Sequence, residues 1–433
     1  MKKTVIKGAD VLGRGRSDLL IADGRLVETG RLDIADAEVV DADGLVALPG
    51  LVDLHTHLRQ PGYEESETVL SGSQAAAKGG YTAVCAMANS TPVADSPAVV
   101  EQVADLGRRA GYVDVQPIGA VSQGLEGRRL AEMGEMAQSQ ARVRMFSDDG
   151  KCVNDPLLMR RALEYAASVD GLIAQHAEES RLTEGSQMHE GAVSARLGMV
   201  GWPEVAETSI IARDVLLAEY LDARVHFCHV STRRSAEIIA AAKKRGVAVT
   251  AEVCPHHLIL TDHAAQGYDP VFKVNPPLRE NDDVEALRSA LADGTIDAVA
   301  TDHAPHSAEN KDCEWNAARP GMLGLETALS IAVEALGGPE DVDWNLVAER
   351  TSRTPARIAG LRAHGHDFDI GAEANLTLVD PGGRWTVYGN ELSSLSTNTP
   401  YAGMELPVTV NATFLRGNAT VRNGQLTEAM GEN

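Results

Sequence analysis

The stretch LVDLHTHLRQPG, residues 51 to 62, sets His55 and His57 two positions apart behind a short apolar run, with Arg59 two positions further on. Alternate side chains of a strand share a face, so His55 and His57 project together, and Asp53 and Arg59 share their parity if the strand continues. Two imidazoles so placed can grip one divalent ion. Further candidate ligands end other apolar runs: Asp149 after VRMFS, His176 after GLIAQ, His229 after VHFC and Asp302 after AVAT. Imidazole nitrogen and carboxylate oxygen are donors that zinc and similar ions accept, and four histidines with two aspartates can hold one or two such ions. Each piece alone has a plainer reading: a turn at Asp148-Asp149-Gly150, core histidines at His176 and His229, a helix cap at Asp302. One shared site explains them together.

The elements that must position these groups read as a barrel. Between residues 50 and 335, short runs rich in Val and Ile alternate with longer segments of helical periodicity, the pattern of a parallel sheet wrapped by helices. Eight strand candidates begin at Leu51, Tyr81, Asp114, Val143, Gly171, Arg224, Val247 and Asp297. Eight is the number that closes a (β/α)8 barrel of about 250 residues or more, whose active sites sit at the C-terminal ends of the strands. Every candidate ligand falls at such an end. ETSIIARDVLLAEYL carries Ile210, Ile211, Val215 and Leu216 at helical spacing, and DPLLMRRALEYAASV opens on an Asp-Pro pair that suits a helix start. The open doubly wound alternative lacks its glycine-rich phosphate turn. Short alternating segments broken by turns at both ends of the chain suggest a small β-sandwich built from residues 1–50 and 367–433, around a barrel spanning 51–366. The fold class expected is α/β, a TIM-like barrel with this composite β-sandwich.

Composition narrows the partners. Sixty-two acidic against 39 basic residues give a net charge of -23, which repels nucleic acid and anionic lipid. An anionic substrate would need concentrated local positive charge. Neither a secretory h-region nor a run of 18 apolar residues is visible, and the five cysteines form no CxxC pair. A cytoplasmic protein with reduced, mostly buried cysteines is expected.

Taken together, LVDLHTHLRQPG, FSDDG, AQHAEES, HFCHVST, VNPPLR, ATDHAPH and GLET closely resemble the dihydroorotases of the amidohydrolase superfamily, specifically the bacterial type I, which carry aspartate where relatives have a carboxylated lysine. The resemblance runs in order along nearly the whole chain. It implies that His55 and His57 bind a first metal with Asp302, that Asp149 bridges, and that His176 and His229 hold a second, so one or two zinc ions per chain. Asp149 is preferred over Asp148 because it lies 27 residues before His176, the family's interval, and shares strand parity with Ser147 and Met145. Either carboxylate could swing in. A metal ion lowers the pKa of bound water from about 15.7 to about 7 and polarises a carbonyl, the chemistry a stable cyclic amide requires. Asp302 would carry the proton. The implied reaction interconverts (S)-dihydroorotate plus water and N-carbamoyl-L-aspartate in pyrimidine biosynthesis.

Arg59 can form a bidentate fork to the carboxylate of either compound, supplying the positive charge anticipated above. Asn89 in MANSTP, His306 in DHAPH, Asn275 in VNPPLR and backbone groups near Pro320 and Gly321 resemble the family's other substrate contacts, with His57 adjoining them. The variations ANSTP and ARPGMLGLET fall in these substrate loops. His256 and His257 are adjacent and face opposite ways, so structural or supporting roles are expected. His226 and His303 have the wrong parity, and His189, His263, His364 and His366 show no partner pattern. Related readings are a hydantoinase, dihydropyrimidinase or allantoinase, which normally carry the bridging lysine absent from VRMFSDDG, or a noncatalytic subunit supporting aspartate transcarbamoylase. A transcarbamoylase complex and a homodimer are the assemblies the resemblance suggests.

Overall fold

The structure, a computed structural model, describes residues 3–32 and 36–429, so residues 1–2, 33–35 and 430–433 of the expected terminal module lie outside the described residues. All eight strand candidates form. They are β1 (Leu51–Thr56), β2 (Tyr81–Ala86), β3 (Asp114–Pro117), β4 (Met145–Phe146), β5 (Leu172–Gln175), β6 (Val225–Phe227), β7 (Val249–Val253) and β8 (Ala298–Val299). Each is followed by a principal helix: α1 (Val69–Lys78), α2 (Pro97–Ala110), α3 (Met133–Gln138), α4 (Pro156–Ser168), α5 (Val205–Leu221), α6 (Arg233–Lys244), α7 (Asn281–Asp293) and α8 (Ala328–Ala335).

The strands pair in parallel as β1-β2-β3 and β4-β5-β6-β7-β8. Two short parallel bridges join these halves. Gly119 meets Phe146 beyond β3, and Thr56 meets His303 beyond β8, with the His57 amide donating to the His303 carbonyl at 2.9 Å. The barrel therefore closes at the strand ends that carry the candidate ligands. Its interior packs Leu54, Cys85, Ile118, Met145, Ala174 and Ala298, while a larger apolar layer lies between strands and helices.

Local sequence explains the helix starts. Asp155 caps α4, its carboxylate accepting from the Leu158 amide at 2.8 Å, and Pro156 occupies the first helical position, where a missing N–H costs nothing. Such a cap contributes about 1 kcal/mol. In α5, Ile210, Ile211 and Val215 are buried as expected, but Leu216 is 64% exposed. Asp214 takes the inward position instead, bonded to Gln175 and Arg213.

Strands from both termini share one sheet, in the order Gln425–Leu426, Asn418–Arg422, Glu405–Leu415, Leu376–Thr386, Val46–Pro49, Lys3–Val11, Arg16–Ala22, Arg25–Gly30. Lys3–Val11 also pairs with Glu38–Asp41, and Ile6, Leu19, Leu26, Leu376 and Phe414 fill the core this sheet encloses. Gly50 is the single residue between this sheet and β1; a Cβ there would lie 2.2 Å from the Thr82 side chain, so only glycine lets the chain pass. Among the described residues no helix is long and apolar enough to cross a membrane.

Candidate metal centre and substrate cleft

Six side chains from five strand ends converge on one pole of the barrel. His55 is the penultimate residue of β1 and His57 follows the strand; Asp149, His176, His229 and Asp302 follow β4, β5, β6 and β8. Asp149 is central. Its Oδ1 lies 3.3 Å from His55 Nε2, 3.4 Å from His176 Nδ1 and 3.4 Å from His229 Nε2, and its Oδ2 lies 3.4 Å from His57 Nε2. Asp302 Oδ1 lies 3.0 Å from His57 Nε2 and 3.4 Å from His55 Nε2. His55, His57 and Asp149 form one group able to hold a cation, and Asp149, His176 and His229 a second. Asp148 is turned away, accepting the Val121 and Ser122 amides at 2.9 Å each and the Ser122 hydroxyl.

Outer partners set the imidazole tautomers. His55 Nδ1 lies 2.8 Å from Glu252 Oε1, His176 Nε2 lies 2.9 Å from Glu178 Oε2, and His57 Nδ1 lies 3.0 Å from Asn89 Oδ1. Each partner is an acceptor, so each of these nitrogens donates and its opposite nitrogen faces the centre, free to offer a lone pair once a cation takes the place of its proton. His55 Nε2 is buried there with no aligned hydrogen-bond partner among the described residues. These donors fit a divalent cation. Burial raises the carboxyls of Asp149 and Asp302, but His55 and the other imidazoles more than reverse this and hold both well below the usual range. Against burial, Asp149 and Glu178 push His176 up to about 10. The cluster demands positive charge.

Backbone geometry aims several of these groups. Arg59, His229 and Asp302 have φ of 60°, 33° and 46°, a left-handed conformation that non-glycine residues adopt rarely and at a cost. At His229 this turn sends the imidazole inward even though Cys228 before it already faces the barrel interior. Simple alternation therefore misjudges His226, expected to face away. It is fully buried, and its Nε2 bonds Glu252 Oε2 at 2.9 Å, the same carboxylate that orients His55.

A cleft of about 580 Å³ opens beside Asp149, lined by Arg59, Asn89, Lys151, His306 and Arg319 among others. Burial lowers the Arg59 guanidinium to about 10, with Asp302 and Asp149 opposing, so it stays cationic at neutral pH. Its Nε donates to the Pro305 carbonyl at 3.0 Å. His306 Nε2 lies 2.8 Å from the Pro320 carbonyl and is held neutral, at about 3, by burial and then by Arg59. The Gly321 amide donates to the Lys273 carbonyl, and its own carbonyl accepts from Asn398. Asn275 donates to Glu178 at 3.1 Å, and its Oδ1 is buried without a partner among the described residues. His303 bonds Glu67, and His256 and His257 are buried outside the six-residue cluster; they lie on the short helix Pro255–Ile259 rather than on a strand, so instead of facing opposite ways their rings sit 4.4 Å apart. Glu252, Glu178, Glu67 and Asn398 are the supporting residues that sequence reasoning missed. Only Glu178, two positions after His176, carried a local signal.

A closed parallel barrel with histidines and aspartates gathered at its C-terminal mouth, and a sheet drawn from both chain ends, defines an amidohydrolase-type architecture. The chain superposes on a dihydropyrimidinase from Brevibacillus agri with a TM-score of 0.85 at 25% identity, covering 99% of this chain and 97% of that one. An L-hydantoinase from Arthrobacter aurescens gives 0.88 at 23%, covering 100% and 98%. Sequence relatives are nearer. A dihydroorotase of Leifsonia xyli is 60% identical over 428 residues (99% of this chain, 98% of the relative), and one of Streptomyces coelicolor is 60% identical over 429 residues (99% and 100%). A Mycobacterium tuberculosis dihydroorotase is 56% identical over 425 residues, covering 98% and 99%. A model of the Dihydro-orotase-like family matches residues 44–235. The chain belongs to the dihydroorotase family.

Proposed function

We propose that the protein catalyses the reversible hydrolysis of (S)-dihydroorotate to N-carbamoyl-L-aspartate, a cytoplasmic step of pyrimidine biosynthesis. The observation that carries this reading is the convergence of His55, His57, Asp149, His176, His229 and Asp302 beside a cleft holding Arg59. Zinc suits the imidazole and carboxylate donors. His55, His57 and Asp302 would hold one ion, His176 and His229 a second, with Asp149 between them. When bound, such an ion polarises the ring amide and makes its water nucleophilic at neutral pH.

The remaining work falls to the chain. Arg59 clamps the substrate carboxylate, with Asn89 and His306 beside it in the cleft. Asp302, kept ionised by His55 and His57 despite burial, accepts the proton of the attacking water and returns it to the departing ring nitrogen. Ring closure runs the same transfers in reverse. A noncatalytic scaffold would be expected to lack ligands, and all six candidates are present. The lysine that bridges in hydantoinase-like enzymes has no counterpart in VRMFSDDG.

The test is to measure metal content and ultraviolet-monitored dihydroorotate hydrolysis on the same pure preparation. Metal uptake with ring opening is expected. Protein that takes up zinc but opens only uncharged cyclic amides, or that does neither, overturns the reading.

A further inference from the structure

We propose that Cys254, His256 and His257 form a separate buried site for a thiolate-accepting cation of the zinc type, beyond the centre described above. β7 runs into Cys254, and Pro255 opens the short helix Pro255–Ile259, which places both histidines beside the sulfur. One donor atom from each of the three residues lies within 4.8 Å of the other two. The imidazole centroids are 4.4 Å apart, and none of the three residues is more than 2% exposed.

Hydrogen bonding separates this cluster from an ordinary packed trio. His257 Nε2 lies 3.2 Å from the Pro276 carbonyl, which can only accept, so Nε2 holds the proton and Nδ1 is a bare lone pair. Among the described residues that Nδ1 is buried with no partner, and so is His256 Nε2. Buried polar nitrogens are ordinarily satisfied, and two orphans beside one thiol are an exception that a cation would resolve. A backbone carbonyl fixing the far nitrogen of a histidine is also the usual outer arrangement of metal-bound imidazole. Thiolate and imidazole select zinc or similar soft ions over magnesium or calcium, and three protein donors leave a fourth position for a small ligand. The thiol proton leaves as the sulfur–metal bond forms, so binding is a simple exchange of a proton for the cation.

Sulfur makes the site distinguishable, because the six residues of the main centre offer only nitrogen and oxygen. The full-length protein is loaded with Co2+, a probe for zinc sites, and its near-ultraviolet spectrum and bound cobalt are measured. A thiolate-to-cobalt charge-transfer band is expected. It should vanish in Cys254→Ser with loss of one bound cobalt per chain, and persist in Cys228→Ser, whose buried thiol lies beside His55. His257→Asn should also lose the band, which covers a failure of Cys254→Ser to fold. Cobalt-saturated wild-type protein without the band overturns the proposal. So does a band that survives Cys254→Ser, a band lost in Cys228→Ser alone, or equal cobalt content in wild type and Cys254→Ser. None of these readouts depends on ring-opening activity, so the proposal and the functional reading fail independently.

Discussion

His55 Nδ1 sits 2.8 Å from Glu252 Oε1 in a fully buried pair, and the second oxygen of that carboxylate is taken by His226 at 2.9 Å. Glu252 is held at about 2, its burial outweighed by the hydrogen bonds from His226 and His55. It therefore acts as a fixed anionic acceptor that aims His55 Nε2 into the centre. Glu252→Gln should weaken metal binding by about 10- to 100-fold, as expected when the outer partner of a ligating histidine is lost. A competition titration against a chelating dye measures it. Unchanged affinity in a folded variant would show that His55 is oriented by packing alone.

Asp302→Asn should keep the fold, since an amide fills the same space and can still accept from His57 where the carboxylate does now. Turnover should fall by about 100-fold or more, the scale of a lost general acid/base. Dihydroorotate hydrolysis at matched metal content is the measurement, and near-normal turnover removes the assigned role.

Arg59→Lys replaces a planar fork by a point charge. KM should rise by about 10-fold with a smaller change in kcat, because a carboxylate clamp acts mainly on binding. An equal fall in kcat with KM unchanged would move Arg59 from binding into the reaction step.

Lys311 is only 8% exposed, and its Nζ donates to the carbonyls of Pro270, Lys273 and Arg319 at 2.9, 3.2 and 2.9 Å. These three bonds satisfy the ammonium and pin the segment carrying His306 and Arg319 against residues 270–273. Lys311→Met should leave metal content intact and raise KM by about 10-fold, because Met fills the space but releases the segment. Steady-state kinetics at matched metal content test this, and an unchanged KM would make the anchor irrelevant to the cleft.

Asp214 gives a pH signature away from the centre. Burial raises it from 3.8 to about 6, with Arg213 and Gln175 opposing. Between those values the folded chain binds a proton that the unfolded chain has lost, so stability falls as pH rises. The contribution is full below about pH 3.8 and is lost as pH passes about 6. Urea midpoints of wild type and Asp214→Asn compared from pH 4 to 7 should show the wild type losing ground as pH increases. A gap that does not vary with pH would mean that Arg213 holds the carboxylate ionised throughout.

The sequence by itself determined the eight strands, their order, and the six ligand-type residues, because strand periodicity and donor chemistry are local properties that a short window expresses. The Asp155 cap of α4 was legible for the same reason. Tertiary structure decided what depends on contacts between distant segments. It placed Asp149 among the imidazoles and tied Asp148 to the Val121 and Ser122 amides, and it brought Glu252 beneath His55 across 197 positions of chain. It also turned His229 inward, directly after the inward-facing Cys228, through left-handed backbone that no alternation rule foresees. Such conformations are unfavourable for a residue alone and persist only where the surrounding barrel holds them, so their physical cause lies outside the residues that adopt them.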